Sequence, residues 1–382
     1  MKRESIILSL LIFASFFTAI QGCSVQRKTV QRPLLLNLEE LDTERNVSNS
    51  ELSKSLRLLG DSHSEDSLLM VIDKNSTFAP DNHYYCSMGP YWWPDPEKPG
   101  KYINRDGLVN PNSRKYDRQK LAALAIKSFN LSKAFYLTGD TAFYNTFIKQ
   151  LQVWFVDKET YMYPNFEYAQ VIPGKRNNKG RSTGLIDAYD FNTVIESIRL
   201  VNSVKRIDKR TMEALQSWFS DFAEWADKGE FSEALHHANN NIGVAYDVTL
   251  VNMYLFAGNE ERAKEILDDF AESRLNKQIM DDGKLPEELK RTKAFSYSIF
   301  NLNHILDMCF LARYWYPNYY QEHQERIDKA FVFLGQYVDN PKAFPYQQIS
   351  SWDSCKKDYN YQIKRLNVLR GVIGDREPKD RL

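Results

Sequence analysis

The sequence predicts an all-α protein built from antiparallel helical hairpins. Three observations carry that prediction. Apolar residues recur at helical spacing along most of the chain beyond residue 117, no run alternates convincingly with period two, and a Gly followed by Asp or Asn twice separates one helix from the next. Leu121, Leu124, Ala125, Ser128, Leu131 and Phe135 line one helical face, which Gly139 and Asp140 close before a second helix over 142–155. The same device returns in Leu255-Phe256-Ala257-Gly258-Asn259, ahead of a helix over 260–273. Glycine takes the left-handed conformation of a helix end cheaply, and the Asp or Asn side chain caps the next helix. Further helices are predicted over 188–205, 208–228, 240–257, 295–316, 320–338 and 351–366. Paired in this way they form either a solenoid or a closed α/α toroid, and the lack of a fixed repeat period weighs against the solenoid.

Composition bounds the function. The chain has 382 residues, 43% of them hydrophobic, with 50 Lys and Arg against 50 Asp and Glu. It is too apolar and too evenly charged for a disordered chain. A net charge of zero excludes a partner found through a global basic field, as nucleic acid would be. Aromatic residues at 13% suit a carbohydrate surface as well as a core, because flat rings stack on sugar faces.

The N-terminus reads as a targeting segment. Lys2 and Arg3 precede an apolar run over 6–20 that is too short for a comfortable membrane span. The run ends Ala19-Ile20-Gln21-Gly22-Cys23, which resembles a bacterial lipobox. The expected organisation is a signal peptide over 1–22, lipidation of Cys23, a flexible tether over 23–50 and one domain over 51–382. The protein is then exported and bound to a membrane only through its lipid. Cys86, Cys309 and Cys355 remain; no pair has metal-site spacing, and each is expected as a buried or free thiol.

Two non-helical stretches, 82–117 and 161–187, are long ordered loops on a helical scaffold, which usually carry function. The first holds His83 and Pro90-Tyr91-Trp92-Trp93-Pro94-Asp95-Pro96, followed by Arg105-Asp106-Gly107 and Asn110-Pro111. Three adjacent aromatics between prolines cannot all face one core, so a stacking surface is expected. The second holds Asn165, Glu167, Tyr168, Gln170, Gly180-Arg181 and Gly184-Leu185-Ile186-Asp187. Further on, His236-His237-Ala238-Asn239-Asn240-Asn241 opens a helix with more Asn than a cap needs, and Arg291 and Tyr297 flank the start of another.

Together these blocks resemble the alginate-lyase-like polysaccharide lyases, helical toroids that cleave uronate polymers. The resemblance runs from about Asp81 to about Leu311. It implies an incomplete (α/α) toroid with long active-site loops. The family's catalytic block reads Asn-Asn-His-Gly followed by Tyr-Asp. Registered on Gly243, Tyr246 and Asp247, it places the two Asn on Asn240 and Asn241 and the His on Ile242. The family's Arg and Tyr fall on Arg291 and Tyr297.

The chemistry explains these residue types. Elimination from a 4-linked uronate removes the C5 proton and expels O4. Donors at the carboxylate stabilise the enolate-like intermediate, a role that suits Asn241 and Arg291. A Tyr whose pKa is lowered by nearby cations can take the C5 proton and protonate O4 when both lie on one face, as in mannuronate. Guluronate presents them on opposite faces and needs a second base, usually His, which Ile242 cannot be. His237 could replace it if the helix begins before Asn239, with His83 and His304 as other candidates. Tyr297, Arg291, Asn241 and His237 are therefore the expected catalytic group. Asn240, His83, Tyr91, Trp92, Trp93, Tyr168, Gln170 and Arg181 are the expected substrate-binding group. Mannuronate-rich alginate is the first expected substrate and glucuronan the closest competitor. No cofactor or metal is expected. A glycoside hydrolase using two of Glu167, Asp187 and Asp247, or a glycan-binding lipoprotein, are the other readings.

Overall fold

The computed structural model describes residues 32–45 and 68–371. The predicted signal peptide, Cys23 and the rest of the tether lie outside the described residues.

The structure is a helical toroid. A short helix α1 (Leu38–Arg45) precedes a loop-rich stretch with three short strands, β1 (Cys86–Met88), β2 (Trp92–Pro94) and β3 (Tyr102–Asn104). The first hairpin is α2 (Arg118–Thr138) and α3 (Thr141–Leu151), followed by a wider π-helical turn over 152–156. Strand β4 (Tyr168–Val171) and a 3-10 segment, Ser182–Asp190, lead into α4 (Phe191–Val204) and α5 (Lys209–Lys228). After the one-turn α6 (Ser232–His236) come α7 (Asn241–Ala257) and α8 (Glu260–Phe270). The turn α9 (Pro286–Leu289) and helices α10 (Ala294–Ala312), α11 (Tyr319–Val338) and α12 (Trp352–Leu369) complete the described chain.

The repeated turn device behaves as expected. Gly139 and Gly258 adopt φ of 71° and 82°, and the side chains of Asp140 and Asn259 accept from Ala142 N and Arg262 N. Helix α7 is the inner wall. Every residue from Gly243 to Ala257 is buried, as expected of a helix that is apolar all round, and it packs against α4, α5, α8 and α10.

Much of the aromatic content is core, and two expectations need correction. Phe155, Phe166, Phe191, Trp218, Phe219 and Phe222 form a buried cluster, with the Phe155 and Trp218 rings 4.7 Å apart. Strands exist: β1 pairs in parallel with β4, and β2 pairs antiparallel with β3, Trp93 facing Ile103. Three or four residues are too few to show a period. The stretch 32–45, placed in the flexible tether, is docked. The backbone N–H groups of Leu34 and Leu35 both donate to Glu196 Oε2 at 2.7 Å, and α1 packs on α2. Glu196 is buried and also holds Arg199 at 2.6 Å. Sequence periodicity carries no trace of such a buried anchor.

Candidate active site

A cleft of about 730 Å3 opens over the N-terminus of α7. The long loops and the starts of α7 and α10 wall it. Seven residues expected at the site line it: Tyr91, Gln170, Arg181, Asn240, Asn241, Arg291 and Tyr297. Ile242 lines it too.

Tyr297 stands on the first turn of α10, and its hydroxyl donates to the Tyr91 hydroxyl at 2.7 Å. Tyr91 is held by the β2–β3 hairpin. Arg105 N donates to Tyr91 O at 2.8 Å, and Asn110 N donates to Pro90 O at 2.7 Å. Burial, then the Tyr91 hydroxyl, push the Tyr297 phenol well above its ordinary pKa, and the Arg291 guanidinium offsets only part of this. Tyr297 therefore carries its proton in the free protein. The Arg291 guanidinium lies 4.0 Å from the centre of the Tyr297 ring. Asp106 fixes it there, accepting from Nη2 at 2.6 Å and Nε at 3.2 Å, while Thr292 N and Oγ1 donate to the same carboxylate. Burial would raise the Asp106 carboxyl, but the bonds from Arg291 and Thr292 outweigh it and hold it at about 2.

The Asn run is divided between structure and cleft. Asn240 is the N-cap of α7, its Oδ1 accepting from Ile242 N at 3.1 Å. Asn241, only 3% exposed, donates from its backbone N and from Nδ2 to the buried Glu288, at 2.6 and 2.7 Å. Gly243 is required by close approach: a Cβ there would stand 2.2 Å from Ala238 O and 2.8 Å from Arg274 Nη1. Arg274 pins the segment leading into the run, donating to the carbonyls of Leu235, His236 and Ala238 while pairing bidentately with buried Asp247.

On the other wall Gln170 adopts φ 51°, a left-handed conformation unusual for its type. Ser87 Oγ accepts from its backbone N, its Nε2 reaches Asp187 at 3.2 Å, and its Oε1 accepts from Arg181 Nη2 at 2.8 Å. Arg181 makes no ion pair among the described residues, and its Nε has no partner. The cleft acids, by contrast, are engaged: Asp106 by Arg291, and Asp187 and Asp190 by Arg118 at 3.4 and 2.5 Å.

Five expected residues, and the alternative base His304, stand outside the cleft lining. His237 is exposed just beyond α6, its Nδ1 2.8 Å from Glu233 O. Helix α7 starts only at Asn241, so the face His237 was to share with Asn241 does not exist. His83 is bonded through Nδ1 to Tyr161 O at 2.6 Å and stacks on Tyr163. Tyr168 packs edge-on against Tyr84. Trp92 lies under Lys175 and Trp93 under Arg105, on the outer part of the hairpin. His304 is fully buried against Tyr189, and burial, with Arg365 adding, pushes it down to about 3, leaving it neutral. Among the described residues no His lines the cleft.

Several cleft groups had no sequence signal of their own. Arg118 and Tyr189 belong to stretches read only as helix, and Glu288 sits three residues before Arg291 in Leu285-Pro286-Glu287-Glu288 without a distinguishing spacing. The hydrolase acids are committed elsewhere: Glu167 to Lys179, Asp187 to Tyr85, Ser87 and Arg118, and Asp247 to Arg274. Among the described residues no cluster of His, Cys, Asp and Glu is arranged to hold a metal ion, and no helix is long and apolar enough to cross a membrane.

Comparison with known proteins agrees with this geometry. No curated protein sequence matches the chain. The crystal structure of an alginate lyase from Bacteroides ovatus is 34% identical, with a TM-score of 0.81 over 90% of this chain and 93% of that one. Alginate lyase A1-III from Sphingomonas species A1 shares the fold at 14% identity, with a TM-score of 0.55 over 91% of each chain. A point variant of that enzyme complexed with a tetrasaccharide aligns at 14% identity, with a TM-score of 0.53 over 84% of this chain and 82% of that one. The alginate lyase family model matches residues 71–344, and the chain belongs to that family, as a polysaccharide lyase.

Proposed function

We propose that this lyase cleaves alginate by β-elimination, with mannuronate-rich polymer as its preferred substrate. One observation carries the preference. The cleft gathers Tyr297, Arg291 and Asn241, while the position that would hold an opposite-face base is Ile242 and, among the described residues, no His lines the cleft. Arg291 and the Asn241 amide meet the carboxylate of the sugar being cleaved and stabilise the enolate-like intermediate. The protonated Tyr297 oxygen gives its hydrogen to O4 and receives the one leaving C5. The C5–H and C4–O4 bonds break, the C4–C5 double bond and an O4–H bond form, and the phenol ends as it began. Both atoms must lie on one face, as in mannuronate. Arg181, lacking an ion pair, takes a neighbouring uronate carboxylate together with Gln170. A second cavity of about 490 Å3 shares Tyr91, Tyr297 and Phe300 with the cleft and leaves room for further sugars.

Glucuronate has the same configuration as mannuronate at C4 and C5, so glucuronan remains the second reading, differing at C2. The test is a panel of polymannuronate, polyguluronate and glucuronan, followed by the ultraviolet absorbance of the unsaturated product. Polymannuronate should be fastest. Faster cleavage of polyguluronate, or of glucuronan, would overturn the assignment. We further propose that the enzyme is exported and anchored through a lipid on Cys23.

A further inference from the structure

Glu288 is a buried carboxylate behind the cleft, at 0% exposure. Amides surround it. Asn241 N donates to Oε1 at 2.6 Å, Asn241 Nδ2 to Oε2 at 2.7 Å, and Asn301 Nδ2 to Oε1 at 3.3 Å. Asn301 also donates to Gln278 Oε1 at 2.8 Å, and Gln278 Nε2 reaches Asn240 O at 3.3 Å. The groups facing Glu288 from α7, α10 and the Gln278 turn are thus neutral amides. Its charged neighbour is Arg291, further along its own segment, and that guanidinium is already bound to Asp106. Glu288 forms no ion pair among the described residues. A buried, unpaired carboxylate is expensive. Burial pushes it up to about 7 against the bonds from Asn241.

The two charge states of Glu288 ask different things of Asn241. As an anion it accepts twice, from the backbone N–H and from Nδ2, which turns the amide nitrogen toward Glu288. As an acid it still accepts the backbone N–H on one oxygen, but the other becomes a donor. The acceptor facing it on Asn241 is then Oδ1, so the amide must turn over and present Nδ2 to the cleft.

We propose that Glu288 is a positioning residue that sets the orientation of the Asn241 amide, and that docking of a uronate carboxylate at Asn241 draws a proton from solvent onto Glu288. This rests on the reading that Asn241 meets the substrate carboxylate. Without the proton, two carboxylates would compete for one amide in a site of low dielectric. With it, the charge behind Asn241 disappears, and both Nδ2 hydrogens are free for the substrate.

The test uses the full chain carrying Tyr297→Phe, which binds without rapid turnover. Its titration with oligomannuronate is followed by calorimetry in buffers of different ionisation enthalpy, which counts protons taken up. Uptake should approach about one proton per site near pH 8 and vanish near pH 5, where Glu288 is already protonated. Adding Glu288→Gln should abolish uptake, with affinity within about threefold of the Tyr297→Phe parent near pH 5 and about tenfold tighter than it near pH 8, because Gln presents the donor and acceptor of the protonated acid without the cost of protonation. Equal uptake with and without Glu288→Gln overturns the proposal. If that variant fails to fold, the pH series on Tyr297→Phe alone decides, and absence of uptake at every pH overturns it. A native enzyme that yields no unsaturated product from any uronate polymer would instead sink the substrate reading, and this inference with it. Cleavage without Glu288-dependent uptake sinks this inference alone.

Discussion

Replacing Tyr297 by Phe separates chemistry from packing, because the structure assigns the hydroxyl and the ring to different contacts. The ring packs against Arg291 at 4.0 Å and survives the change. The hydroxyl makes one described hydrogen bond, to Tyr91 at 2.7 Å. Losing it costs about 1 kcal/mol, a drop in melting temperature of no more than about 4 °C for a chain of this size. The rate should respond far more. A proton-transfer group typically contributes ~10²–10⁴-fold, or about 3–5 kcal/mol of barrier. Among the described residues no His lines the cleft, and Asp106, Asp187 and Asp190 are bound to cations. The assay is initial ultraviolet absorbance on polymannuronate beside a thermal melt. A variant that melts normally and keeps about a tenth or more of the native rate on every uronate polymer would remove Tyr297 from the mechanism.

Arg291→Ala should lower the rate by ~10²–10³-fold with the fold retained. Asp106→Ala should destabilise by about 1.5–3 kcal/mol, since it strands a bound guanidinium. The Asp106 carboxyl is depressed to about 2, so its contribution is present above the ordinary carboxylate pKa and fades only as pH falls toward that value; melting curves of the two proteins should converge in strong acid and not near neutrality. His237→Ala should leave cleavage of both mannuronate and guluronate linkages within about threefold of native, because His237 points away from the cleft; a loss above tenfold on guluronate alone would restore it as a base. Cys23→Ala should release the protein from membranes, checked by fractionation, and unchanged membrane association would refute the anchor. Ile242→His places an imidazole at the N-terminus of α7, where the helix dipole favours its neutral form, and should raise polyguluronate cleavage about tenfold or more; a folded variant active on mannuronate with no such gain would mean that Ile242 does not set the limit.

The helices were legible because their signals are local. The 3.6-residue spacing from Leu121 to Phe135 and the Gly139-Asp140 and Gly258-Asn259 junctions each depend on residues close in the chain, and the structure honours them. Much of the candidate site was legible through its resemblance blocks, since Arg291, Tyr297, Asn240 and Asn241 converge on one cleft. What the sequence hid was long-range. Glu196 reaching Leu34, Arg274 reaching Asp247 and Glu288 reaching Asn241 span 162, 27 and 47 residues, and no periodicity encodes such pairs. The His residues misled for the same reason. His237 and Asn241 are four apart, but whether they share a face depended on where the helix starts. Asn240 spends its side chain as the cap, so the helix starts at Asn241, four residues after His237.

The buried partners also explain how a cleft can hold cations and still accept a polyanion selectively. Arg118 is neutralised by Asp187 and Asp190, and Arg291 by Asp106, so neither is a free counter-ion waiting for any anion. Arg181 carries an unpaired charge, and burial lowers its pKa, which makes an incoming carboxylate its natural complement. Asn241 is neutral but is backed by a carboxylate whose charge depends on what occupies the cleft. General attraction is thereby limited. A ligand is held firmly only if one carboxylate reaches Arg181 while another meets Asn241 and Arg291, a demand that a chain of uronates meets and an isolated acid does not. On the proposed reading, the geometry of the acids favours a repeating polymer, and Tyr297 then favours, within that polymer, the linkage whose proton and leaving oxygen share a face.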